Sequence, residues 1–306
     1  MMDTDSQKTA RKVSVRWRLA LILSLVACAS WACGAAANPP NAGAPNPNAP
    51  PYPVLLTDEP GDRRQAAMAA WAKLMHEQGV VNAQEPLLHP VTATIAGLPQ
   101  LPSPIYLPKV GEGLPMTEEE TREALRRFIN SNSELLGIDP PQLSLIQRTD
   151  AADGTKRALY LQRPFLRYNF RNGFGVVEIT FAPDRRILNV TSTAIPEIDR
   201  LRVAGAGIAP RAELQTPENV IKSLAGKPIT YTDAAGRAST FTLTSQNQIT
   251  PRQFVIFPRL REDAPPALEF HLAWEVAVDG APVRTIYLDA LTGELLSASA
   301  ESVPTR

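Results

Sequence analysis

The order of hydrophobic periodicities constrains this chain more than any single residue. Twice, a helical repeat is followed by a run of alternating segments separated by turns. The first copy opens with Thr117 and Glu120 at capping-box spacing, and Glu118, Glu119 and Glu120 fill the first turn, where the helix dipole favours acids. Leu125, Phe128, Ile129 and Leu136 form one apolar stripe, and Gly137 stands where the chain must leave the helix. Beyond Pro140-Pro141 the period changes to two. It predicts strands over 143–146, 159–170, 175–181 and 187–193, divided by Asp153-Gly154, Asn172-Gly173 and Pro183-Asp184. After the Gly-rich break 204–207 the order returns: Thr216-Pro217-Glu218 opens a helix through Leu224. Strands are expected over 229–232, 239–244, 254–258, 268–278, 283–288 and 294–298. A helix ahead of an antiparallel meander buries its stripe by lying on the sheet. The expected class is therefore α+β, in two modules, each a helix packed on an antiparallel sheet.

Ahead of both copies the chain carries an export signature. Lys8, Arg11, Lys12, Arg16 and Arg18 precede an apolar run over 19–27, too short to span a hydrocarbon core of ~30 Å. The run ends in Leu25-Val26-Ala27-Cys28, which is similar to a bacterial lipobox, whose cysteine is lipidated and becomes the mature terminus. Residues 1–27 thus read as a lipoprotein-type signal peptide, with Cys28 as the lipidation site and the bacterial cell envelope as the destination. Two alternatives stay open: cleavage after Ala35-Ala36-Ala37, releasing a soluble secreted or periplasmic product, and an uncleaved anchor. Residues 28–60 read as a tether, because eight Pro fall within 38–60 and a segment so poor in donors cannot pair its backbone. At ~3.1 Å per residue, about 25 residues of polyproline II reach on the order of 75 Å.

Residues 61–116 match neither copy. A helix is expected over 62–78 from the stripe Met68, Trp71, Leu74 and Met75, with Gly79 to stop it. Seven Pro punctuate 86–115, which fits short edge strands or loops better than a central strand.

Composition narrows the function. Lys and Arg total 31, as do Asp and Glu, so no basic field marks a nucleic-acid binder. Two Cys exclude a disulfide framework and a multi-Cys zinc site, and three His far apart leave little for a metal centre. His76-Glu77 is followed by Gln78-Gly79-Val80, without the second histidine of a zinc-peptidase helix. No Gly-x-Ser-x-Gly elbow or phosphate-cradling loop appears, so catalytic residues, metal and cofactor are all expected to be absent. His271 alternates toward the solvent face of its predicted strand, with no second imidazole or carboxylate cluster near in sequence. Arg163, Arg167 and Arg171 recur every fourth residue, which places them on one face of an unbroken strand. Such a row is either a solvated face or a carboxylate-binding surface for a protein partner.

The second copy contains Leu272-Ala-Trp-Glu-Val276 and then Thr285-Ile-Tyr-Leu-Asp-Ala-Leu-Thr-Gly-Glu294. These resemble the closing hairpin of the PepSY domain. The first copy is similar to the FTP domain (fungalysin/thermolysin propeptide) in its helix Ala124-Leu-Arg-Arg-Phe-Ile and in Gly173-Phe-Gly-Val176. Taken together they imply an FTP-like module over 117–205 and a PepSY-like module over 206–306, both cystatin-like, without the peptidase domain such propeptides usually precede. The resemblance implies a non-enzymatic, lipid-anchored envelope protein that inhibits a metallopeptidase or assists its folding. The alternative is an envelope interaction module with no protease role. Read from the residues alone, Asp289, Thr292 and Gly293 form a structural turn: Asp289 accepts from turn amides, and Gly293 supplies a positive φ.

Overall fold

The computed structural model describes residues 52–58, 61–113, 116–198, 201, 214–233, 236–262 and 265–300. The expectations for the leader, Cys28, the Ala35–Ala37 cleavage and most of the tether lie outside the described residues. So does the break at 204–207.

The first core is built around three helices. Helix α1 (Asp62–Glu77) buries Ala67, Trp71, Leu74 and Met75, and the Trp71 indole donates to the Gln84 carbonyl at 3.1 Å. Helix α2 (Glu118–Ser131) starts at a complete capping box. Thr117 Oγ1 accepts from the Glu120 amide at 3.2 Å, and Glu120 returns a carboxylate to the Thr117 amide at 2.7 Å. The helix breaks at Asn132, whose side chain donates to the Phe128 carbonyl at 2.8 Å and so competes with the backbone ladder. A single turn, α3 (Ser133–Leu136), follows and ends at Gly137, with φ 69°. The expected single helix through Leu136 is therefore two.

Strands β4 (Leu143–Asp150), β5 (Lys156–Gln162), β6 (Val176–Phe181) and β7 (Ile187–Ser192) form an antiparallel sheet in that order. The three helices pack with Ala158, Val177, Ile179, Phe181 and Val190 of this sheet in one core. The Pro-punctuated segment belongs to the same core through Leu88, Ile95, Ile105 and Leu107. Strands β2 (Leu87–Leu88) and β3 (Ile95–Gly97) pair with each other. Residues 105–107 run along β7, with Leu107 donating to Arg185 at 2.9 Å and Ile187 donating to Ile105 at 2.8 Å. One edge of the sheet is thereby covered, and among the described residues no strand pairs with the outer edge of β4.

The second sheet is formed by β1 (Val54–Thr57), β8 (Pro228–Thr232), β9 (Ala238–Thr242), β10 (Gln248–Arg261), β11 (Ala267–Asp279), β12 (Thr285–Asp289) and β13 (Leu295–Ser299). Its order is β1-β11-β12-β13-β8-β9, with β10 on the other side of β11, and all its pairings are antiparallel except β13 with β8. Helix α4 (Pro217–Leu224) starts at Thr216 and places Val220 and Leu224 in one core with Leu268, Phe270, Leu272 and Val276. The architecture is mixed α+β with antiparallel sheets.

Two expectations need correction. The tether does not stay unpaired to residue 60: Val54–Thr57 adds to β11, with Val54 and Leu56 buried. Burying two such side chains stabilises the docked strand by about 1.5–3 kcal/mol each, which offsets the cost of ordering it. The predicted strand 159–170 ends at Gln162, because Pro164 cannot donate to a ladder and the chain turns between Phe165 and Tyr168. Leu166 and Arg167 take the left-handed φ values 50° and 79°.

After that turn the loop reaches the other sheet. Phe170 bridges to Ile256 in parallel, Ile256 donates to Asn169, and Arg171 donates to Ile256, both at 2.9 Å. The Asn172 side chain adds a bond to the Pro258 carbonyl at 2.8 Å.

Candidate functional site

Strand β11 presents Leu268, Phe270, Leu272 and Trp274 to the core beneath α4, so its intervening residues Glu269, His271, Ala273 and Glu275 face the other way. Ala273 pairs with Asp289 at the end of β12, which brings that carboxylate beside His271. His271 is thus not on a solvent face: it is buried at 3 % exposure, with Asp289 at 0 %.

Asp289 is fully engaged. Its Oδ1 accepts from the Leu291 and Thr292 amides at 2.9 and 2.8 Å, and the Glu294 amide donates to Thr292 Oγ1 at 3.2 Å. Gly293 has φ 73° and donates to the Asp289 carbonyl at 2.9 Å. The other oxygen, Oδ2, lies 2.8 Å from His271 Nδ1 and accepts from the Tyr52 hydroxyl at 2.6 Å. That hydroxyl in turn accepts from the Leu272 amide at 3.0 Å. Across the ring, His271 Nε2 is 3.3 Å from Glu269, whose carboxylate accepts from Arg259 at 2.9 and 3.1 Å and from Arg261 at 3.4 Å. Arg259 also reaches Glu294 at 2.7 Å. Each ring nitrogen of His271 thus faces one carboxylate.

Electrostatics follow the geometry. Burial alone would raise the Asp289 carboxyl, but His271, the Thr292 amide, the Tyr52 hydroxyl and the Leu291 amide together hold it below its ordinary range. Glu269 behaves likewise: burial works upward, and Arg259, His271 and Arg261 outweigh it. Tyr52 is pushed far up, first by burial and then by the Asp289 charge.

Proton transfer to a substrate needs an approach within about 2.6–3.2 Å. Both ring nitrogens of His271 face carboxylates and both His271 and Asp289 are buried, so within this fold the cluster ties β11 to the turn after β12 and to Tyr52. A cleft of about 390 Å³ lies elsewhere, where Asp62, Arg63, Glu134, Asp139 and Glu197 line a space between α1 and the α3 turn. Arg63 is committed within the fold there, donating to the carbonyls of Thr57 and Val91 and pairing with Asp58 at 3.7 Å and Glu197 at 3.6 Å. Among the described residues no group of three or more His, Cys, Asp or Glu is arranged to hold a metal ion. Among them, too, no helix is long and apolar enough to cross a membrane.

The arginine row does not form one surface. Arg163 precedes the 165–168 turn and Arg167 lies within it, both exposed. Arg171 is turned inward and pairs with the buried Glu275 at 2.6 Å, so it is not available to a partner. Sequence reasoning missed Tyr52, Glu269 and His271 as one cluster. The alternation Glu269-x-His271 was the available signal for two of them, whereas Tyr52 lies 237 residues from Asp289 and left none. No protein family, curated protein or solved structure matches the chain.

Proposed function

We propose that the chain is an exported, lipid-anchored, non-enzymatic binding protein whose FTP-like and PepSY-like modules are cystatin-like, and which inhibits an envelope or secreted metallopeptidase or assists its folding. The observation that carries this reading is a contrast in exposure. The His271 cluster is buried in the second sheet, while among the described residues no strand pairs with the outer edge of β4, which exposes Leu145 (39 %) and Ile146 (46 %). An open strand edge recognises extended polypeptide through main-chain bonds, with side chains supplying selectivity. The bulge between Leu145 and Gln147 limits the edge to a short run, which suits docking of a loop better than continuous strand growth.

The direct test mixes the purified protein with a thermolysin-type peptidase, native and chemically unfolded. Dose-dependent inhibition or increased recovery of activity on refolding is expected. Neither effect, together with recovery of only non-peptidase partners from the envelope, would replace this reading with an interaction module that has no protease role.

A further inference from the structure

We infer that residues 52–57 are a strap: a segment that occupies a strand-addition slot on β11 and is fastened there by a protonation-sensitive catch at Asp289, His271 and Tyr52.

The slot is defined by the sheet itself. Strand β12 pairs with β11 only over residues 273–277, so on that side positions 267–270 would be an open half-edge without β1. The strap fills it in register, Val54 opposite Phe270 and Thr57 opposite Ala267. Val54 and Leu56 enter the apolar core while Leu55 stays half exposed, so the slot selects an alternating aliphatic pattern. A polar socket continues it, in which the Leu272 amide and the Asp289 carboxylate hold a phenol. The slot therefore takes an extended segment with a tyrosine two residues ahead of alternating aliphatics.

The strap is lightly held elsewhere. It has four paired residues, and its exit is gripped by Arg63 through the Thr57 carbonyl and Asp58. The sequence before it is rich in proline, which supplies no donors to extend the pairing. Among the described residues the Tyr52 hydroxyl is the side-chain polar anchor of its leading end. The charged and titratable groups that face this catch are Asp289 and Glu294 from β12 and the following turn, Glu269 and His271 from β11, and Arg259 and Arg261 from β10. An anionic Asp289 accepts from Tyr52 and His271 together. A protonated Asp289 loses its negative charge, and with it the attraction that orients both.

Hydrogen exchange on the full chain tests this, with rates corrected for the intrinsic effect of pH. Asp289 stays ionised in the fold until pH falls well below 4, so between pH 6 and pH 2.5 the amides of Val54–Thr57 are expected to exchange about tenfold faster while β5 and β6 stay protected. Tyr52→Phe should produce the same opening at pH 7, and a synthetic peptide of residues 52–58 should then bind in trans. Strap amides that lose protection only together with β5 and β6 would overturn the inference. So would a folded Tyr52→Phe protein with unchanged strap exchange. If that variant does not fold, the pH series on the unaltered chain decides the matter alone.

Discussion

Replacing Arg171 by methionine removes the cation from Glu275, which is 2 % exposed. Breaking a buried ion pair by deleting one partner costs about 3–5 kcal/mol, because the remaining charge is left dehydrated. Two features reduce that here: the Arg171 side chain is 16 % exposed, and Gln253 still donates to the other Glu275 oxygen at 3.2 Å. The expected loss is about 2–3 kcal/mol. At a slope of about 1–3 kcal/mol/M in urea, the unfolding midpoint falls by about 0.7–3 M. Because the side-chain pair ties the loop after β5 to β11, exchange protection of β11 should fall more than that of β6. The double variant Arg171→Met with Glu275→Leu should recover most of the loss, since a packed apolar pair replaces the ions. A single variant that loses under about 0.5 kcal/mol, or a double variant no more stable than the single, would refute the assignment of a buried, structurally required pair.

Acid should weaken the fold through the same sheet. Asp289 and Glu269 are held below their ordinary values, so the stability they contribute is present above the unfolded carboxylate pKa near 4 and is lost as pH falls through the depressed folded values. Midpoints measured from pH 6 down to pH 3 should therefore drop, and Asp289→Asn should flatten that decline while lowering the midpoint at pH 6. Gly293→Ala meets no atom within 4 Å, so its cost comes from the left-handed φ alone, about 1–2 kcal/mol by urea unfolding. A neutral result there would mean that the turn relaxes to another geometry.

What was legible in the sequence was local. The Thr117 capping box, the α2 stripe and the Asp289 turn each place their chemical signal within a few residues of its effect, and their geometry follows. Residues 159–170 alternate like one strand, but Pro164 ends the ladder by lacking a donor. Alternation set the side of β11 on which His271 lies but carried no word of what covers it: Arg259, Glu269 and Asp289 come from three separate strands. The strap had no local signature at all, since its pairing spans more than two hundred residues and its composition is that of a linker.

The Pro-punctuated segment has a practical consequence for dissecting this protein. A cut at residue 117, where the family-like pattern begins, would strip Trp71, Leu74, Ile95, Ile105 and Leu107 from a shared interior and bare one margin of the β4–β7 sheet. A fragment trimmed to the recognisable pattern should aggregate, whereas one beginning at residue 61 keeps the interior whole. The packed interior here is larger than its motif, and its first helix begins some fifty-five residues upstream of the helix cap that advertises it.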